Sequence, residues 1–75
     1  MDRETLLNWL AVAECTVREG AHHLLQQREM LSRLQTQEHS KSTTVGMARE
    51  LLDTMERLQA HHVAHRDRLM VALKT

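Results

Sequence analysis

The sequence predicts an all-α chain folded as an antiparallel two-helix hairpin, and three observations carry that expectation. No proline occurs in 75 residues, so neither half contains the residue that removes an intrahelical hydrogen bond and clashes with the preceding turn. A patterned apolar run lies on each side of a polar stretch holding His39, Ser40, Lys41, Ser42, Thr43 and Thr44. The two runs also share one heptad register. With a positions at Leu10, Val17, Leu24 and Leu31, and in the second half at Val45, Leu52, Gln59, Arg66 and Leu73, antiparallel pairing opposes Leu34 to Val45, Leu31 to Ala48, Gln27 to Leu52 and Leu24 to Met55. It then opposes Gly20 to Gln59, Val17 to His62, Ala13 to Arg66, Leu10 to Leu69 and Leu6 to Leu73. One domain, residues 1–75, is all this length allows.

Helix one is expected over about residues 2–37. Asp2 can cap the free amides of the first turn, and Glu4 lies at the positive end of the helix dipole. The connection is expected over about 38–43, where hydroxyl and imidazole side chains compete for backbone hydrogen bonds. Helix two is expected over about 44–74, capped by Thr43 or Thr44, with Gly46 in its first turn and Lys74 at its negative end. Each helix would be about 45 Å long at ~1.5 Å per residue. On the outer faces Glu14 and Arg18, Glu29 and Arg33, and Asp53 and Arg57 have the spacing of small solvated ion pairs.

The seam has a polar middle. Gln59, His62 and Arg66 face Gly20, Val17 and Ala13, whereas the layers at both ends are mostly apolar. Glycine costs about 1 kcal/mol relative to alanine inside a helix, and the gap at Gly20 suits the long amide of Gln59. Polar groups in a seam lower stability but fix register, because a slipped alignment leaves them unpaired. Arg66 needs a partner such as Glu14 or a carbonyl if it is buried, or else its stem covers Ala13 while its head reaches water.

A hairpin this short buries one seam and usually needs a staple or oligomerisation. The flank made by the g positions pairs Trp9 with Ala72, Thr16 with His65, His23 with Leu58 and Met30 with Leu51, and is largely apolar. The e flank pairs Leu7 with Met70, Glu14 with Val63, Ala21 with Glu56 and Arg28 with Arg49, the last a repulsive pair. Two copies meeting through the g flank would make a four-helix bundle, a homodimer with a two-fold axis. The alternative is that Trp9 and its neighbours pack only within their own hairpin. A larger helical protein partner could dock on the same strip.

Composition bounds the function. Ten basic and ten acidic side chains give a formal charge of zero, so the basic footprint of a nucleic-acid binder is missing. No run of about 18 apolar residues or signal-like leader is present, which argues against a membrane partner and sets the cytoplasm as the expected address. The lone Cys15 cannot form an intrachain disulfide and fits a reducing compartment.

The segments Val17 to Glu29 and Ala48 to Leu52, with His61 to Leu69, resemble a group of short helical-hairpin proteins of soil and root-associated, rhizobial-type alphaproteobacteria. The shared core is an acidic or basic residue before Gly20, the pair Gln27-Arg28, the double leucine Leu51-Leu52 and the stretch His62 to Arg68. This chain departs from the pattern in a longer connection without a turn glycine and in Met55 where an aromatic ring is expected. The resemblance implies fold and source. The group has no established activity, so it implies no cofactor or catalytic residue.

The histidines carry the remaining chemistry. His61, His62 and His65 have spacings that can place two imidazoles on one helix face, a half-site for zinc, nickel or copper, and a dimer could join two half-sites through His62 and His65. The other account of these residues is one solvated, one hydrogen-bonded in the seam and one at an interface. Cys15, Glu19 and His22 lie together on the outer face of helix one. Glu19 with His22 matches half of the Glu-x-x-His motif of di-metal bundles, but Glu19 points outward and helix two has no such motif. HExxH, CxxC, GxGxxG and GxxxxGK[ST] are absent, and Cys15 lacks the base and orienting group a nucleophile needs. The expectation is therefore a non-enzymatic, self-associating interaction module without a cofactor. A metal-binding or pH-sensing bundle using His62 and His65 is the alternative.

Overall fold

A computed structural model of the chain describes residues 2–37 and 41–75. Helix α1 runs Arg3–Thr36 and helix α2 runs Ser42–Lys74. They pack side by side and antiparallel as a rod whose Cα atoms span 56 × 14 × 13 Å.

Helix α1 starts where its cap dictates. Asp2 has extended backbone angles, and its Oδ1 accepts a hydrogen bond of 2.7 Å from the Thr5 amide, while its carbonyl accepts from the Leu6 amide at 3.2 Å. That bond favours the carboxylate form and holds the Asp2 carboxyl below its ordinary value of 3.8. At the other end Gln37 returns to extended angles, and the Thr36 hydroxyl donates to the Arg33 carbonyl at 3.0 Å.

Helix α2 begins earlier than its sequence suggests. The expected caps Thr43 and Thr44 lie within the first turn, Gly46 falls one residue past it, and Lys41 is the capping residue without a side-chain hydrogen bond. The Lys41 carbonyl already accepts from the Val45 amide at 3.1 Å. Extending a helix adds one backbone bond per residue fixed, and here that gain outweighs a single hydroxyl cap. Residues 38–40 of the expected connection lie outside the described residues.

The heptad pattern places the seam. Every a and d side chain paired above is buried or half-buried. Among the described residues the deepest burial is a single file of Ala13, Leu24, Gln27 and Leu31 on α1 and Leu69 on α2. No described side chain is completely shielded from solvent, as geometry requires when two cylinders touch along one line. A fully buried leucine contributes about 1.5–3 kcal/mol, so three buried leucines make a modest core.

Two of the long cations find acidic partners. Arg28 does not confront Arg49 unrelieved: its Nη2 reaches Glu56 diagonally across the e flank at 3.4 Å. Arg66 is paired with its chain neighbour Asp67 rather than with Glu14, its Nε and Nη2 donating to one Asp67 oxygen at 3.1 and 3.0 Å. Of the along-helix pairs, Asp53 with Arg57 forms at 3.1 Å, with both side chains mostly exposed. At the open end of the hairpin the Arg3 guanidinium donates to the Leu73 carbonyl at 3.4 Å.

Candidate interaction flank

The site is built by the side chains that the seam cannot cover. In a two-helix rod the g and c positions point to one side, adjacent to d, and remain uncovered unless another chain packs there. Trp9, Met30, Leu51 and Leu58, expected as interface residues, are each close to half exposed, and His23, His65 and Ala72 are also exposed beside them. Val12 and Met47, at 67% and 68% exposure, extend the strip along its outer margin. They were missed because only g positions were read, although apolar residues at c are the signal for a wider face. In all, six of the ten large apolar side chains exposed among the described residues lie on this flank.

The strip is grooved rather than flat. One depression of about 410 Å³ is bordered by Trp9, Val12, Ala13, Thr16, His62 and His65. A second of about 220 Å³ continues it past Thr16, Glu19, Gly20, His23, Met55, Leu58, Gln59 and His62. Thr16 and His62 border both, so the two join into one trough along the middle of the rod. The Thr16 hydroxyl is turned back onto its own helix, donating to the Val12 carbonyl at 3.0 Å.

The floor of this trough holds Gly20, Gln59 and His62 of the polar seam, whereas Arg66 borders a separate depression on the e flank with Glu14, Val17 and Arg18. Gly20, Gln59, His62 and Arg66 are all half-buried. The Gln59 amide lies against the Gly20 backbone and its Nε2 donates to the Val17 carbonyl at 2.8 Å. A Cβ on Gly20 would overlap that amide, with Gln59 Oε1 and Cδ the nearest atoms. Absence of a side chain at Gly20 is therefore what lets a polar group cross the seam. The same seating leaves Gln59 Oε1 buried without a hydrogen-bond partner.

Cys15 is exposed, and its Sγ lies 3.5 Å from a Glu19 carboxylate oxygen. His22 and His23 hold their ring centroids 6.3 Å apart. His62 and His65 border the same depression, but among the described residues no three His, Cys, Asp or Glu side chains converge as a metal site. No described helix is long and apolar enough to cross a membrane.

The surface area sets the scale of what is uncovered. The chain exposes 5880 Å², whereas a folded monomer of 8.7 kDa is expected to expose about 4,700 Å². The excess of about 1,200 Å² exceeds the ~800 Å² that each partner buries in a standard protein interface. No family model, curated protein or solved structure matches the chain.

Proposed function

We propose that this chain is a small, non-enzymatic, self-associating helical interaction module whose two copies pack g flank to g flank as a four-helix bundle. The observation that carries the reading is the apolar strip from Trp9 to Met47, exposed on a chain with about 1,200 Å² more surface than its mass predicts. A second copy suits the strip better than a charged partner does. The chain is formally neutral, so like meets like without net repulsion, and a rod of matching length covers the strip from end to end. The proposed address is the cytoplasm, where an exposed unpaired thiol such as Cys15 stays reduced. Kinship with the short alphaproteobacterial helical proteins belongs to the same proposal, on the residues given for it above.

Light-scattering mass over a concentration series tests the reading. The unmodified chain should approach twice 8.7 kDa, and the double substitution Leu51→Glu with Leu58→Glu should hold the mass at that of one chain. A mass of one chain at every concentration, or a dimer indifferent to both glutamates, would sink it. A metal-binding bundle has one observation in its favour, the common depression bordered by His62 and His65. A mass that doubles with zinc and halves with chelator would select that reading instead.

A further inference from the structure

We infer that the contact between two copies is histidine-rich at mid-length and therefore dissociates as pH falls through the imidazole range. The inference rests on the flank-to-flank reading above and specifies how such a contact is regulated.

Four histidines belong to this one flank. His23 and His65 stand exposed at g positions, His61 stands exposed at c beside them, and half-buried His62 forms part of the trough floor. In the antiparallel register His65 is level with Thr16 and His23 with Leu58, so the cluster occupies the middle of helices that run Arg3–Thr36 and Ser42–Lys74. The apolar groups lie on either side of it, Trp9 and Val12 towards the open end and Met30, Leu51 and Met47 towards the connection. Covering both apolar ends requires overlap over the full length. Full overlap superposes middle on middle whether the two-fold axis runs along the rod or across it. Either way the imidazoles of one copy meet those of the other.

The charges around the cluster do not neutralise it. The groups bordering His62 from α1 are Glu19 and His23, and those near it on α2 are His61, His65 and Arg66. Glu19 is the one carboxylate among them, and it already receives the Cys15 thiol. Arg66 is held by Asp67, and Arg68 follows His61 at the next c position. One carboxylate per copy thus faces as many as four imidazolium groups per copy. The whole chain moves from zero charge towards an excess of six positive charges when its six histidines protonate.

The sign follows from linkage. Covering an imidazole disfavours its charged form, so the separate chains bind protons that the dimer does not. Association is complete above the free histidine range and is lost as pH drops through it. Each imidazole that must be neutral in the contact weakens association up to about tenfold per pH unit below ~6.5. With the covering shared among His23, His62 and His65 and amounting to about one fully neutral imidazole per copy, the dissociation constant should rise about 100-fold between pH 7.5 and 5.5.

Sedimentation equilibrium of the full chain at pH 7.5 and 5.5, in chelator throughout and with far-UV circular dichroism alongside, tests this. The expected result is the ~100-fold weakening with helicity retained, reduced several-fold in His62→Gln and also in the exposed pair His23→Gln with His65→Gln. The exposed pair keeps the test decisive if His62→Gln disturbs folding. An unchanged dissociation constant at pH 5.5, or an equal acid response in every variant, would overturn the pH gate and leave the docking surface standing. Loss of helicity at pH 5.5 would also overturn it, by placing the acid response in the seam. Absence of a dimer at pH 7.5 would remove the docking reading itself.

Discussion

Replacing Gly20 with alanine sets two effects of similar size against each other, and the seating of Gln59 decides their balance. Helix propensity alone favours alanine by about 1 kcal/mol. In this seam, however, the new Cβ would overlap Gln59 Oε1 and stand 2.8 Å from Cδ and 3.3 Å from Nε2, so the amide must leave. Its 2.8 Å bond to the Val17 carbonyl leaves with it, a loss of about 1 kcal/mol for a typical intramolecular hydrogen bond. Return of the partnerless Oε1 to water recovers part of that. The single substitution should therefore lie within about 0.5 kcal/mol of neutral. In a Gln59→Ala background no amide opposes the methyl group, and Gly20→Ala should stabilise by the full ~1 kcal/mol, which is about 6 °C in Tm for a chain this long. Thermal melts of the four proteins of this cycle, followed by circular dichroism at one fixed concentration because association shifts Tm, give a coupling of about 1 kcal/mol. An equal rise in Tm in both backgrounds would refute the reasoning, since it would mean that the amide does not occupy the space above Gly20.

Leu24→Ala removes one of the few buried leucines, 8% exposed and facing Met55, and should cost about 2–5 kcal/mol. Its exposed neighbour offers the control: Leu25→Ala should stay within about 0.5 kcal/mol, and equal losses in denaturant melts of the two would contradict the seam assignment. Asp2→Asn keeps an acceptor for the Thr5 amide but removes the titrating carboxyl. Since the folded carboxyl lies below its ordinary value of 3.8, its support of the first turn is complete above that value and is lost as pH falls through the lower folded one. The acid-induced shift of the Thr5 amide resonance should accordingly vanish in Asp2→Asn, and its persistence would count against the cap.

The seam was legible in the sequence because a heptad position fixes the direction of a Cβ, and burial along a line of contact follows from direction alone. Gly20 opposite Gln59 was legible for the same reason, as was Asp2 ahead of an uninterrupted helix. The start of α2 was not, since a Ser-Thr run can cap a helix or enter it, and the choice depends on backbone bonds rather than on residue type. Partners of the long cations were equally hidden. Arg28 and Arg66 can each sweep several acids from a fixed Cβ, so rotamers decided for Glu56 and Asp67, which the heptad wheel does not single out. The flank was legible as an apolar g strip, whereas its widening through Val12 and Met47 and the trough across its middle depend on how far two packed helices splay.

The glycine-glutamine layer also bears on how the chain reaches its fold. Loop closure costs least for the layers nearest the connection, so Leu34 with Val45 and Leu31 with Ala48 are the cheapest to form, and pairing advances from them as a zipper. Gly20 and Gln59 meet when roughly half of the zipper is closed. A chain that has slipped by one heptad would bring Leu52 or Arg66 over Gly20 and press the Gln59 amide against the Cβ of Ala13 or Gln27. The misalignment is then met while the open-end layers are still apart, and undoing it sacrifices only the contacts made so far. A polar layer at this position acts as a proofreading step for the growing helix pair.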